Sequence, residues 1–114
     1  MNHSPFLGEF IGTVLLIIMG GGVVANVVLS KTKGQNSGWI VITFGWAMAV
    51  FLGVYASKSF GGSGHLNPAV TIAMAYLGNL KGSLVLTYIL AQFAGAITGA
   101  LIMWFGYRQH FEAT

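Results

Sequence analysis

The chain has no cysteine and no aspartate, and only two prolines. Without cysteine there are no disulfides and no thiolate metal sites, so the redox compartment cannot be read. Charge is also scarce: Lys, Arg and Glu together make up 6% of 114 residues, whereas soluble domains carry about 25%. That excludes a water-soluble enzyme, a disordered tail and a nucleic-acid module. The formal charge of +3 comes from scattered single residues, with no basic run to track a phosphate backbone. His3, His65 and His110 lie too far apart for a metal site, and no serine sits in a nucleophile-elbow pattern. No cofactor is implied, and the reading is of a protein that is not an enzyme.

What the chain does have is apolar surface, 55% of its residues, and 17 glycines. Three runs, residues 6–29, 38–56 and 83–107, can each cross about 30 Å of hydrocarbon as a helix. The first is too long for the core of a cleavable signal, and no Lys or Arg precedes it. Small residues four apart mark each run: Gly8 and Gly12; Gly45, Ala49 and Gly53; Ala91, Gly95 and Gly99. Such spacing lets helix backbones approach closely in lipid, where no hydrophobic drive exists between helices. An all-α membrane protein with three transmembrane helices follows.

A fourth apolar segment, residues 68–77, spans about 15 Å as a helix, half the hydrocarbon thickness. Asn67 suits its N-cap and Pro68 its first turn, while Gly78 and Asn79 end it. With the Gly-rich approach at residues 57–67, it reads as a re-entrant loop and half-helix. Non-helical backbone at that depth must be buried in protein or line a wet cavity. A short amphipathic helix at the interface is the alternative.

Glu9 lies about one turn into the first run. A charge at mid-membrane costs about 2.5–3.5 kcal/mol, so it is either a proton or cation site or an acceptor for buried backbone amides. A re-entrant loop needs such acceptors, and Gln92 on the last helix can serve likewise. Structural support is the reading for both.

The stretch GHLNPAVTIA at residues 64–73 resembles the first signature of the aquaporin and glycerol-facilitator (major intrinsic protein) family. The resemblance extends to GEFIGT at residues 8–13 and AQFAGA at residues 91–96. It covers nearly all of this chain but only the first inverted repeat of a family member. It implies an aquaporin-like fold with a pore constriction at Asn67, Pro68 and Ala69. The backbone carbonyls of Ser63, Gly64, His65 and Leu66 would form an acceptor ladder along the pore. Phe44, aligned through the Phe44-Gly45 step, matches a selectivity-filter position, with Ile42 the alternative. Passive diffusion of small neutral solutes is the implied function, with glycerol favoured and water or similar polyols beside it. A lipid bilayer, a multi-pass place in the cell membrane, a homotetramer and a second channel half are the implied partners and setting.

The physics of the box agrees with this. A helix N-terminus at Pro68 carries roughly +0.5 of a charge, which opposes cations. If Asn67 Oδ1 caps the Val70 N–H, its NH2 is left as an outward donor. The expected second box has no counterpart in the 114 residues. The chain therefore reads as a fragment or truncated product, or as an antiparallel homodimer. Two lysines on one side against two lysines and an arginine on the other do not fix orientation. A small proton-coupled exporter using Glu9 and a non-conducting membrane subunit are the rival functions.

Overall fold

The computed structural model describes residues 4–114, so His3 lies outside the described residues. All regular structure among them is helical. Helix α1 spans Pro5–Val28, α2 Trp39–Ser59, α3 Pro68–Tyr76, α4 Val85–Gly106 and α5 Arg108–Ala113. A 3-10 turn, Gly82–Leu84, leads into α4. Helices α1, α2 and the stretch Gly82–Gly106 are long and apolar enough to cross a membrane. At nine residues, or about 14 Å, α3 is not.

Each boundary has a local cause. Ser4 Oγ accepts from Leu7 N at 3.0 Å and caps α1, with Pro5 in the first turn, where its missing N–H leaves no orphan. Helix α2 runs to Ser59, about one turn beyond the expected end at residue 56, and takes in Lys58. It stops where Gly61 turns left-handed at φ 101°. Asn67 caps α3, but its Oδ1 accepts from Ala69 N at 2.8 Å rather than from the expected Val70 N. Gly78, at φ 81°, ends the C-terminal turn of α3. The short α5 occupies a stretch that the sequence marks only as a return to water.

Helix α1 is the centre of the bundle, flanked by α2 on one side and α4 on the other, while α3 packs on α4. Glycines set both crossings. A Cβ added at Gly12 would lie 2.7 Å from the Gly53 carbonyl oxygen, and one at Gly53 would lie 2.9 Å from that of Gly12. On the other flank, a Cβ at Gly95 would come within 2.6 Å of the Phe10 carbonyl, and one at Gly99 within 2.7 Å of the Val14 carbonyl. Backbones this close leave no room for side chains, which is the packing that small-residue spacing serves in lipid. Ala49 and Ala91 are fully buried in the same two seams.

The largest fully buried side chains are polar, while many large apolar ones lie on the exterior. Glu9, Ser57 and Thr71 are fully buried, whereas Ile40, Phe44, Phe51, Ile97 and Phe105 are exposed. This inversion suits a molecule whose surroundings are hydrocarbon. At the far end of α1, the Thr32 hydroxyl donates to the Asn26 carbonyl, and Asn36 N donates to the Val27 carbonyl at 2.8 Å. His110 Nδ1 on α5 donates to the Ser30 carbonyl at 3.1 Å, and Ser30 N donates to Thr114 Oγ1 at 2.8 Å. The α1–α2 loop is thereby laced to the C-terminal helix.

Candidate pore wall

Glu9 projects from α1 into the space between α2, α4 and the loop that precedes α3. Its Oε2 accepts from Ser57 Oγ at 2.7 Å and from the amides of Ser63, Gly64 and His65 at 3.2, 3.0 and 3.2 Å. Its Oε1 accepts from Leu66 N and from Gln92 Nε2, each at 2.9 Å. Six donors meet one carboxylate, and four of them are consecutive backbone amides. Ser57 Oγ also accepts from Gly64 N at 3.1 Å. The loop approaches so closely that a Cβ on Gly62 would stand 2.9 Å from Glu9 Oε2. A Cβ on Gly8 would collide with the Gly62 backbone nitrogen.

Peptide geometry converts this anchoring into an orientation. In a trans peptide the N–H of one residue and the carbonyl of the residue before it point to opposite sides. With the amides of Ser63, Gly64, His65 and Leu66 turned toward Glu9, the carbonyls of Gly62, Ser63, Gly64 and His65 face away from it. None of these accepts a hydrogen bond from a described residue, nor does the Leu66 carbonyl. The Leu66 carbonyl belongs to the Asn67 peptide, whose amide Glu9 does not hold. Leu66 itself sits at φ 55°, a left-handed conformation that costs a non-glycine residue roughly 1–2 kcal/mol. Its anchored amide and a buried side chain wedged against Gly12 and Gly53 hold it there.

Beyond the loop lies a groove of about 340 Å³. Gly64, His65, Leu66 and Asn67 line it from the loop, and Leu16, Trp46, Val50 and Val54 supply apolar side chains opposite. Val70 also lines it, and Pro68 and Ala69 are not among the lining residues. Pro68 instead borders a smaller cleft of about 130 Å³ with Thr13 and Gln92. Thr13 Oγ1 and Gln92 Oε1 are buried there without a partner among the described residues.

Phe44, like Ser63, Pro68 and Ala69, is a sequence candidate that does not line the groove. It is exposed on the outer face of α2. Trp46, two residues on and so about 200° around the helix, lines the groove instead. The alternative, Ile42, is buried beside a different pocket near Asn36. Gly20 makes space for the indole: a Cβ there would be 2.5 Å from the Trp46 ring. The i, i+4, i+8 spacing of Trp46, Val50 and Val54 is visible in the sequence and would have marked this face.

Sequence reasoning also passed over Ser57, Thr71 and Tyr88. Thr71 Oγ1 accepts from Gln92 Nε2 at 2.8 Å and contacts His65 Nδ1 at 3.0 Å. The His65 ring is thus tied to the Thr71 side chain. Tyr88 lies four residues before Gln92 on the same face of α4, and its hydroxyl meets Ser63 Oγ at 2.6 Å. No group of three or more His, Asp or Glu able to hold a metal occurs among the described residues.

Comparison with known proteins places this geometry. The family described as Major intrinsic protein matches residues 2–113. The chain belongs to that family. A relative named glycerol uptake facilitator protein, from Streptococcus pneumoniae (strain ATCC BAA-255 / R6), is 55% identical over 110 residues, covering 96% of this chain and 47% of the relative. The probable glycerol uptake facilitator protein of Thermotoga maritima is 52% identical over 111 residues, covering 97% of this chain and 47% of that one. Among solved structures, the aquaglyceroporin from Plasmodium falciparum superimposes with a TM-score of 0.85 at 32% identity, covering 95% of this chain and 43% of that chain. This major intrinsic protein chain therefore spans about half the length of the relatives it matches. Its fold is the first repeat of an aquaporin-like membrane protein.

Proposed function

We propose that the chain supplies one half of the wall of a channel for passive diffusion of small neutral solutes, glycerol foremost, with water and similar polyols beside it. The observation that carries this reading is the capture of four consecutive loop amides by Glu9, which turns a row of carbonyls away from the carboxylate. In this reading the carbonyls of Ser63, Gly64, His65 and Leu66 accept from the hydroxyls of a passing solute. The Asn67 amide donates to them, and Asn67, Pro68 and Ala69 form the constriction. Leu16, Trp46, Val50 and Val54 meet the carbon side of the solute, and Trp46 takes the filter place first given to Phe44. An ion would shed its hydration against this wall without enough charge to replace it. Glu9 and Gln92 act as structural support. The names of the relatives favour glycerol as the solute.

A second half-wall completes the pore, assembled as a homotetramer in the cell membrane. Proteoliposome swelling under a glycerol gradient tests it, with the chain alone compared with the chain joined to the remaining half of the Streptococcus pneumoniae relative. Glycerol flux in the joined form is the expected result. Flux by the chain alone would point to the antiparallel homodimer as the source of the second half. Absence of flux in both would refute the channel reading and leave a non-conducting subunit.

A further inference from the structure

The part of the Glu9 web that reaches α3 has a direction. A carboxylate oxygen only accepts, so the end of the Gln92 side chain 2.9 Å from Glu9 Oε1 is its NH2. The second hydrogen of that NH2 goes to Thr71 Oγ1 at 2.8 Å. Thr71 is fully buried, and its one hydroxyl hydrogen has a single acceptor left within reach, His65 Nδ1 at 3.0 Å. Nδ1 is then an acceptor, and the proton of the neutral imidazole sits on Nε2. The Tyr88 ring lies against the imidazole with centroids 5.0 Å apart and restrains its plane. Nε2 has no partner among the described residues, and it is not enclosed. His65 is one of the residues lining the groove.

We propose that this relay presents His65 Nε2–H as a fixed donor site for a hydroxyl oxygen of the conducted solute. The proposal rests on the reading of the groove as the solute path. It adds a second side-chain donor, beside the Asn67 amide, to a wall of carbonyl acceptors. A polyol hydroxyl both gives and takes a hydrogen bond, so a donor beside the acceptors satisfies it fully. Glu9, Gln92 and Thr71 are positioning residues: they set which ring nitrogen carries the proton without touching the solute.

Nitrogen-15 NMR of the chain in lipid bilayers tests the relay. Histidine labelling together with His3→Asn and His110→Asn leaves His65 as the only imidazole signal. The expected spectrum has one neutral tautomer, protonated on Nε2, with Nδ1 displaced by the bond it accepts. Thr71→Val should abolish that displacement and bring both tautomers into exchange, and Thr71→Ser should restore it. A proton on Nδ1 in the parent chain, or a Thr71→Val spectrum identical to the parent's, overturns the relay. Added glycerol should move the Nε2 signal and leave Nδ1 in place; an indifferent Nε2 overturns the donor role even with the relay intact. In the joined channel, His65→Phe keeps a ring against Tyr88 and should lower glycerol flux roughly tenfold, the worth of about one hydrogen bond. Undiminished flux in that variant counts against the donor. Because the tautomer is read without transport, a channel that fails to conduct glycerol would refute the proposed function separately.

Discussion

At the residue scale, one side chain orders an entire loop, and the cost of altering it follows from donor counting. Glu9→Gln replaces an acceptor with a group that is half donor, so at least one of the six donors would face another donor. Loss of about 3 kcal/mol of stability is expected, since buried donors stripped of an acceptor are costly. Unfolding in a detergent titration measures it; glycerol flux per folded channel should fall but persist, whereas a proton-coupled exporter would keep its fold and lose pH-driven transport. Gly62→Ala should have a similar effect from the other side, because its Cβ would press on Ser57 Oγ and on Glu9 Oε2. The same titration applies, and a neutral result would show that the loop can retreat from the carboxylate. Glu9 and Gln92 stand out in the sequence because each interrupts an apolar run. Ser57, Thr71 and Tyr88 do not, since a single hydroxyl in a membrane helix satisfies itself on its own backbone as readily as on a distant partner, as Thr98 does on Ala94.

At the element scale, the architecture depends on where glycines let α1 touch its neighbours. Gly99→Leu should separate α4 from α1, because even a Cβ there meets the Val14 carbonyl at 2.7 Å. Overpacking of this kind costs about 1–3 kcal/mol or more. The same change at Gly106, where a Cβ meets nothing within 4 Å, should cost little. Thermal unfolding of the two variants side by side checks the contrast. The three long helices and the short one were legible from run length, from the Asn-Pro pair and from small-residue spacing, all local signals. Helix α5 was not, because its six residues carry no apolar periodicity and it is laced to the α1–α2 loop by contacts 80 and 84 residues apart in sequence. The distance between Phe44 and the groove has a related cause. An alignment through one Phe-Gly step fixes a position along α2, but two residues of slip rotate a side chain from the groove to the lipid face.

At the scale of the whole molecule, the groove is a surface made by elements distant in sequence, and its two walls have different chemistry. Trp46→Ala should widen it on the apolar side only. Swelling assays on the joined channel should then show larger polyols entering, with glycerol discrimination reduced; an unchanged solute range would remove Trp46 from the wall. Absence of cysteine makes the groove directly mappable. Single cysteines placed at Val50 and Val54 should react with a small water-soluble thiol reagent in bilayers, while one at Phe51, on the exposed face, should not.

The partners of Glu9 lie from 48 to 83 residues downstream of it. At ribosomal rates of roughly 5–20 residues per second, Gln92 is made on the order of ten seconds after the carboxylate. Through that interval the nascent α1 holds a charge that nothing yet neutralises or solvates inside lipid. The first helix must therefore linger near the headgroups or within the translocon, and settle to its final depth only once the later segments arrive. Biogenesis of this protein is set by a debt contracted at its ninth residue.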